Sequence, residues 1–276
     1  MMITKAIIPV AGWGTRRLPI TKIIEKSMLP VGNRPLVDYS VQELIKAGVK
    51  DIYMVVSNVE PCQVRQFYRD NLALNEYLKA RGKTDRLALA KTLPDDVRIH
   101  YITQDPAGKY GTAVPVAMAV EEYKIDEPVF VYMGDDFIWN PGGKSAAEAL
   151  IECAGEGEAA IFGAQVEKKN VDKYGILEEE DGKLKSIVEK PEVEKAPSTM
   201  ANVSKYIMTP ELLAEVVKYV NENEFAATEQ EYMITDPIES FIKKGGVMKV
   251  ATNEGEYLDG GSIEGWVYAN KVVCGS

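Results

Sequence analysis

Short apolar runs alternate with amphipathic stretches along the first half of the chain. Such runs, flanked by polar loops, are typical of strands that are buried on both faces of a sheet. The four predicted strands are Ile3–Val10, Asp51–Ser57, the segment "RIHYITQ" that ends at Gln104, and Pro128–Asp136. Helical patterns are predicted in "RPLVDYSVQELIKAGV", from Pro61 to about Ala90, and in "TAVPVAMAVEEY". The alternation predicts an α/β fold, with a parallel sheet and helices on both of its faces.

The second half of the chain adds antiparallel features. Two strand-like runs flank Asp181 and Gly182 in "YGILEEEDGKLKSIVEKP", which is a hairpin signal. Further strands are predicted in "AAIFGAQV", "NVSKYIMTP" and "VMKVAT", with helices beginning near Pro210, after Asp236 and at about Ser262. The sequence contains no linker, repeat or low-complexity segment, so we expect a single domain that covers residues 1–276.

Composition excludes several classes of function. The 276 residues are 46% hydrophobic and carry a formal net charge of −10, which argues against general binding to nucleic acid or anionic membranes. The sequence lacks a signal-peptide pattern and any apolar run of bilayer-spanning length, so a cytoplasmic protein is expected. The three separated cysteines make a disulfide framework or a structural zinc site improbable. The single histidine, His100, lies in a predicted strand, which favours a structural role over a catalytic one.

A basic loop directly follows the first predicted strand. Ligands of open α/β sheets bind beyond the carboxyl ends of strands, and "AGWGTR" occupies such a position. Gly12 and Gly14 allow backbone N–H groups to approach a ligand, while Arg16 and Lys26 suit phosphate oxygens. The loop therefore resembles a polyphosphate cradle. A tight turn beside a solvated basic stretch is the alternative interpretation.

Neither common phosphate-binding motif matches this loop. A Walker A motif requires Gly-Lys-Ser/Thr after Gly14, which is missing, and the later "GGKS" has Ile138 where the first glycine of the motif should stand. The dinucleotide-binding fingerprint fails because Arg17 occupies the position of its third glycine. A Walker-type kinase is therefore excluded.

Acidic residues are predicted at the same edge of the sheet. Asp135 and Asp136 end a predicted strand, and Asp259 precedes two glycines in "YLDGGS". Mg²⁺ is commonly held by one or two carboxylates together with substrate phosphates. In "VEKP", Lys190 could meet a second phosphate and Glu189 a sugar hydroxyl. Taken singly, these residues also fit a loop-capping carboxylate pair, a common Asp-Gly turn and a surface ion pair.

The order of these motifs carries more information than any one of them. Gly-x-Gly-Thr-Arg, Lys-x-Met-Leu-Pro, Gly-Asp-Asp, Tyr-Gly-Ile, Glu-Lys-Pro, a late Thr-Asp and Asp-x-Gly follow one another along the chain. This series resembles the nucleotidyltransferases that make nucleotide sugars, most closely the bacterial UTP–glucose-1-phosphate uridylyltransferases (UDP-glucose pyrophosphorylases). The stretch "KAIIPVAGWGTRRLPITKIIEKSMLPVGNRPLVDY" is similar to their N-terminal signature, and the resemblance covers essentially the whole chain.

The resemblance implies a Rossmann-like, mixed and mostly parallel sheet in a nucleotide-binding domain, with an added β-hairpin region for the sugar. It implies UTP and glucose 1-phosphate as substrates, Mg²⁺ as cofactor, and a homo-oligomer, either a dimer or a tetramer. It also implies roles for individual residues. Arg16, Lys26 and Lys190 would be catalytic; Ala11, Gly12, Gly14, Thr15, Gln104 and Gly111 would bind the nucleotide; Gly175, Glu189 and Lys190 would bind the sugar phosphate; Asp135 and Asp259 would hold the metal.

The chain also departs from the family pattern. The usual Gly-Leu-Gly-His-Ala is "KYGTA" at Lys109–Ala113, the usual Gly-Arg-Tyr is "SKY" at Ser204–Tyr206, and Ile263 stands where a lysine is expected. The first change lies near the expected base pocket, so another base, such as that of TTP, or another sugar 1-phosphate is an alternative. A sugar-nucleotide sensor without turnover is a further alternative, although the retained charged residues argue against it.

Overall fold

A nine-stranded mixed sheet forms the centre of the computed structural model, which describes residues 2–225 and 230–275. The strands are β1 (Lys5–Pro9), β2 (Pro30–Val31), β3 (Arg34–Pro35), β4 (Asp51–Ser57), β5 (Arg98–Gln104), β6 (Val129–Tyr132), β7 (Asp136–Trp139), β8 (Ala159–Gln165), β9 (Gly175–Glu180), β10 (Lys183–Glu189), β11 (Met200–Met208), β12 (Met248–Ala251) and β13 (Glu256–Asp259). The helices are α1 (Leu36–Lys46), α2 (Gln63–Tyr68), α3 (Leu72–Ala80), α4 (Leu87–Ala90), α5 (Ala113–Tyr123), α6 (Ala146–Cys153), α7 (Pro210–Glu222), α8 (Thr235–Lys243) and α9 (Ile263–Gly275).

The strand order of the large sheet is β5-β4-β1-β6-β11-β8-β12-β10-β9. The first four strands in this order, β5, β4, β1 and β6, are parallel to one another, as the alternating pattern predicted. Strands β11 and β10 run antiparallel to their neighbours, while β8 and β12 are parallel to each other. The expected mixed, mostly parallel sheet is therefore confirmed.

Helices cover both faces of this sheet because successive side chains of a strand point to opposite sides. Ile8 of β1 belongs to a buried cluster with Val41 of α1 and with residues of α6. Its neighbour Ile7 belongs to a second buried cluster, on the other face, with Val116 of α5 and Leu212 of α7. The predicted helices on both faces are confirmed. None of the helices in the described ranges is both long and apolar enough to cross a membrane.

The hairpin around Asp181 and Gly182 is also present, formed by β9 and β10.

One predicted strand is wrong in its extent. The apolar run Pro128–Asp136 does not form a single strand, because β6 ends at Tyr132 and Asp136 begins β7, which pairs with β13 in a separate two-stranded sheet. Gly134 lies in the break, where its α-carbon faces Val10 closely enough that a side chain would overlap. The chain therefore turns where a strand would otherwise continue, and Asp135 lies in this turn.

Candidate active site

The basic loop lies at the carboxyl end of β1 and folds back on itself. Gly14 has a φ of +64°, and a Cβ there would lie 2.9 Å from Cβ of Lys26 and 3.0 Å from Cγ2 of Thr21. Thr21 Oγ1 donates a hydrogen bond of 2.8 Å to the carbonyl of Gly14, which closes the loop. By contrast, among the described residues other than its two chain neighbours, none has an atom within 4 Å of the position that a Cβ on Gly12 would occupy. Glycine is therefore required at position 14 by packing, and at position 12 it leaves backbone open to a ligand.

The two adjacent arginines of the loop lie in different environments. Arg16 is exposed, as is the preceding Thr15, while Ala11 is half-buried. Arg17 is only 1% exposed, and its Nη1 donates a 3.2 Å hydrogen bond to the carbonyl of Lys26. Its Nε and Nη2 have no hydrogen-bond partner among the described residues. Burial lowers the pKa of Arg17, and the carboxylates of Asp135 and Asp259 oppose that shift. Sequence reasoning gave Arg17 no role, yet it is the buried cation of this loop.

The predicted metal carboxylates lie close together, although they are 124 positions apart in the sequence. Pairing of β13 with β7 sets Asp259 opposite Asp136, next to Asp135. Both carboxylates border Gly261: a Cβ on that glycine would lie 2.6 Å from Asp259 Oδ1 and 3.6 Å from Asp135 Oδ2. Lys26 forms an ion pair with Asp135. The basic loop and both predicted metal ligands thus meet at one place.

The proton affinities of these two carboxylates differ. Burial alone would raise the pKa of Asp135, but Lys26, Arg17 and Lys205 outweigh it and hold that pKa below its ordinary value. Burial raises the pKa of Asp259, and the negative charge of Asp135 adds to this effect. Two facing carboxylates fit Mg²⁺, which takes its remaining ligands from phosphates and water. The described ranges contain no group of three or more His, Cys, Asp or Glu side chains that could hold a metal ion.

A buried lysine supports the turn that carries Asp135. Lys205 of β11 is 0% exposed, and its Nζ lies 3.2 Å from the carbonyl oxygen of Asp136 and 3.3 Å from Oδ1 of the same residue. The ammonium group also lies 4.5 Å from the ring centre of Tyr132. Burial raises the pKa of Asp136 to about 7, although Lys205 opposes the shift. The sequence marked this position only as a departure from the family pattern. Lys205 holds Asp136 inward, while Asp135 faces the basic loop.

The predicted base-binding residues lie at the carboxyl end of β5. Gln104 is the last residue of that strand, and its Nε2 donates a 3.3 Å hydrogen bond to the carbonyl of Lys109. Gly111 has a φ of +136°, and any side chain there would overlap the backbone of Tyr232. Tyr110, between these residues, is exposed. Sequence reasoning did not identify Tyr232, since nothing in its local pattern indicates contact with a segment more than 110 residues earlier.

The predicted sugar-phosphate residues lie together at the open end of the β9–β10 hairpin. Gly175 is opposite Glu189 in the register, and a Cβ on Gly175 would lie 3.1 Å from Glu189 Oε1. Lys190 is exposed, with a φ of +44°, and its N–H donates to the carbonyl of Tyr174 at 3.0 Å. Thr235 Oγ1 lies 3.4 Å from Glu189 Oε1 and donates to it. Thr235 was named in the sequence only as part of the late Thr-Asp motif.

Aromatic contacts join this hairpin to the carboxylates. The ring of Tyr174, next to Gly175, packs edge-on against Tyr257 with centres 5.7 Å apart. The hydroxyl of Tyr257 donates to Asp136 Oδ2 at 3.2 Å. These contacts connect the hairpin to Asp136, the residue next to Asp135 and opposite Asp259. His100, in contrast, lies on β5 with its Nε2 2.8 Å from Asp51 Oδ1 and its ring stacked on Tyr53, which supports the structural role expected for it.

The glycine-containing basic loop, the carboxylates of Asp135 and Asp259 and the Lys26–Asp135 ion pair lie together beyond the carboxyl ends of the parallel strands. Residues 5–274 match the family described as "Nucleotidyl transferase", and the chain belongs to this family of enzymes.

Among its relatives, the chain is 34% identical to a Methanocaldococcus jannaschii protein that is provisionally named UTP–glucose-1-phosphate uridylyltransferase, over 98% of this chain and 92% of that one. It is 31% identical to UTP–glucose-1-phosphate uridylyltransferase 2 of Streptococcus pyogenes serotype M3, over 87% and 80% of the two chains. The fold is similar to that of a UTP-bound UDP-glucose pyrophosphorylase from Acinetobacter baumannii, with a TM-score of 0.85, 26% identity, and coverage of 99% and 93%. It is also similar to a UDP-glucose pyrophosphorylase complexed with UDP-glucose, with a TM-score of 0.80, 26% identity, and coverage of 99% of both chains.

Proposed function

We propose that this enzyme is a UTP–glucose-1-phosphate uridylyltransferase, which forms UDP-glucose and pyrophosphate. One observation carries the proposal. Lys26 of the basic loop is paired with Asp135, and Asp259 faces the same small volume beside Gly261. An α-phosphate held there would lie between cations that neutralise its charge and carboxylates that can share a metal ion with it.

In the proposed reaction, a phosphate oxygen of glucose 1-phosphate attacks the α-phosphorus of UTP, and pyrophosphate leaves on the opposite side. Two polyanions must meet, so positioning and charge neutralisation are the main tasks of the protein. The exposed Arg16 and the half-buried Lys26 bind the triphosphate, and Arg16 stabilises negative charge on the leaving pyrophosphate. Backbone groups of the loop at Ala11, Gly12, Gly14 and Thr15 hold the nucleotide.

The acceptor is held from the hairpin side. Lys190 orients the attacking phosphate, while Gly175 and Glu189 contact the sugar. Glu189 is kept in place by the hydrogen bond from Thr235. A phosphate monoester is already largely ionised near pH 7, so the reaction needs no general base.

Asp135 and Asp259 would hold Mg²⁺. When bound, the ion would neutralise triphosphate charge and make the α-phosphorus more electrophilic. The basic side chains near Asp135 keep it ionised and ready to coordinate. Asp136, paired with Lys205, takes no part in coordination in this proposal.

Gln104 and Gly111 form the base side of the site in this proposal. A glutamine amide can accept from the N3–H of uracil and donate to one of its carbonyls. Cytosine lacks that N3–H, so CTP would leave an acceptor unpaired. The base of TTP differs from that of UTP by one methyl group outside the Watson–Crick edge, so we expect TTP to be the second-best substrate.

The decisive experiment measures pyrophosphate release with each of UTP, TTP, CTP and GTP against a set of sugar 1-phosphates. The proposal expects the highest kcat/KM with UTP and glucose 1-phosphate, and dependence on Mg²⁺. If CTP or GTP gives a higher value than UTP, the uridylyl assignment is wrong while nucleotidyl transfer stands. Binding of nucleotide sugars without pyrophosphate release would instead support a sensor.

A further inference from the structure

The side chain of Lys109 anchors the loop that follows the predicted base-reading residue. Its Nζ lies 2.6 Å from the carbonyl oxygen of Val220 and 3.0 Å from that of Asn223. It also forms a 2.9 Å ion pair with Glu224 and lies 5.3 Å from the ring centre of Tyr232. The usual family pattern has glycine at the position of Lys109, and glycine has no side chain with which to make any of these contacts. The anchor is therefore a feature of this chain and not of the family motif.

The carbonyl contacts are the stronger part of this anchor. Val220 and Asn223 lie at the C-terminal end of α7, where backbone carbonyls lack intrahelical donors and the helix dipole is negative. A lysine ammonium donates hydrogen bonds to these carbonyls, and its positive charge interacts favourably with the negative end of the helix dipole. Glu224 is 81% exposed on its side chain, so its ion pair with Lys109 contributes little. The lysine is therefore held mainly by α7 itself.

The backbone of the same lysine determines how Gln104 is oriented. Gln104 Nε2 donates to the carbonyl oxygen of Lys109 at 3.3 Å. With one N–H used in this way, the amide keeps its oxygen as an acceptor and its second N–H as a donor. That pair of groups complements a uracil or thymine edge. A rotated amide would present its groups in the opposite order, and the carbonyl of Lys109 disfavours this rotation.

We propose that Lys109 is a positioning residue that sets the base preference of the enzyme by fixing the amide of Gln104. The inference rests on the proposed function, because it assumes that Gln104 contacts the base. It adds a determinant of selectivity that lies outside the substrate pocket. The anchor acts through the C-terminus of α7 and never through direct contact with the base.

Three hydrogen bonds that do not use the side chain of Lys109 hold the rest of the loop. The N–H of Tyr232 donates to the carbonyl of Tyr110 at 2.9 Å, and the N–H of Ala113 donates to the carbonyl of Tyr232 at 2.9 Å. The N–H of Ile234 donates to Thr112 Oγ1 at 2.9 Å. Removal of the lysine side chain leaves all three bonds in place. We therefore expect the perturbation to affect residue 109, the amide that it orients and the ring of Tyr232, and to leave the predicted sugar-phosphate residues in place.

The test compares Lys109→Met with the wild type. Methionine keeps most of the length of the side chain and removes its charge and donors. We expect the KM for UTP to rise about tenfold and the ratio of kcat/KM for UTP to that for CTP to fall about tenfold, the effect of losing one well-made hydrogen bond. We expect kcat with UTP and the KM for glucose 1-phosphate to stay within about twofold of the wild type, since the phosphate-binding groups are unchanged. Lys109→Arg, which can still donate to both carbonyls, should restore most of the UTP-to-CTP ratio.

Two variants serve as controls. Lys50→Met removes a lysine that is paired with Asp96 at 2.5 Å and directly precedes the first residue of β4, whereas Gln104 is the last residue of β5. This variant should change none of these constants. Glu224→Gln removes only the exposed ion pair and should shift the UTP-to-CTP ratio by less than twofold. Thermal unfolding of each variant shows whether it is folded at the assay temperature.

The outcomes separate this inference from the proposed function. If the wild type releases no pyrophosphate with UTP, the proposed function fails before any variant is compared. If the wild type prefers UTP and folded Lys109→Met keeps the same KM for UTP and the same UTP-to-CTP ratio, the role of Lys109 is refuted. If Lys109→Met lowers kcat with all triphosphates equally and leaves the ratio intact, the lysine is structural only, and the inference is again refuted. Should Lys109→Met not fold, Lys109→Arg and Lys109→Gln provide the same comparison, since glutamine can bond to only one of the two carbonyls.

Discussion

Asp136 gives the protein a pH-dependent stability that can be isolated with one substitution. The residue is 7% exposed, and burial raises the pKa of its carboxyl group to about 7, compared with an ordinary value of 3.8. Between these two pH values the folded state retains a proton that the unfolded state has released. The free energy of unfolding therefore falls as pH rises through this range, and the loss is complete above pH 7.

The size of the effect follows from the width of this range. Each pH unit in which the folded state holds one extra proton changes the free energy of unfolding by about 1.4 kcal/mol. Two such units separate pH 5 from the raised pKa. Titration of Asp136 should therefore lower the free energy of unfolding by about 3 kcal/mol between pH 5 and pH 8. Asp136→Asn cannot titrate, and its amide oxygen can still accept from Lys205 while its NH₂ group donates to Tyr257.

The assay is urea unfolding of the wild type and Asp136→Asn at pH 5, 6, 7 and 8, in chelator and without nucleotide. Under these conditions no metal ion or substrate can bind to the folded state and add its own pH dependence. The stability of the variant relative to the wild type should rise by about 3 kcal/mol across the series, with most of the change below pH 7. A difference that stays constant within about 0.5 kcal/mol would refute the burial argument for Asp136.

Three further predictions concern the proposed reaction. Arg16→Ala should lower kcat by roughly 10²–10³-fold, the usual effect of losing one preorganised charge-stabilising donor. Arg98→Ala removes an exposed arginine at the first residue of β5 and is the control that should leave kcat unchanged. Near-normal turnover in folded Arg16→Ala would remove Arg16 from the mechanism. Asp135→Asn should abolish pyrophosphate release, and Asp259→Asn should reduce it severely, while full wild-type activity in excess chelator would exclude a metal role for both. Gly14→Ala should destabilise the loop by about 1 kcal/mol or more and raise the KM for UTP, since its φ is positive and its Cβ would press on Lys26; an unchanged KM would mean that the loop does not hold the nucleotide.

Local patterns in the sequence predicted much of the sheet correctly. The bounds of β4 and the end of β5 at Gln104 are as expected, because apolar runs with β-branched residues are strong strand signals. The hairpin at Asp181 and Gly182 was visible from its turn residues alone. The break between β6 and β7 was not predicted, because the apolar run continues past Tyr132 to Met133 and Gly-Asp-Asp was interpreted as the end of one strand. Gly134 lies at this break, so close to Val10 that a side chain would overlap, and this proximity exists only after folding.

Buried charges were the least predictable part of the site. Arginine and lysine are mostly exposed in proteins, so a sequence favours Arg16 and Arg17 equally as surface cations. In the folded chain Arg17 is buried beside the carboxylates, and Lys205 is enclosed beneath the turn that carries Asp135. The burial of Arg17 and of Lys205 depends on partners from distant parts of the chain, and no local sequence pattern indicates such partners. The assignment of the site residues to substrates, the metal ion and a single domain stays a prediction.

The placement of the single histidine bears on the chemistry of the proposed reaction. His100 pairs with Asp51, the first residue of β4, whereas the basic loop and the carboxylates follow the carboxyl ends of β1 and β6. The histidine therefore lies away from the reacting groups and cannot move a proton for them. Asp136, the group near the site whose pKa is about 7, is turned inward onto Lys205 and Tyr257. In the proposed reaction the attacking phosphate is already ionised and needs no general base, so the main tasks are positioning and charge neutralisation by the basic loop and the proposed metal ion.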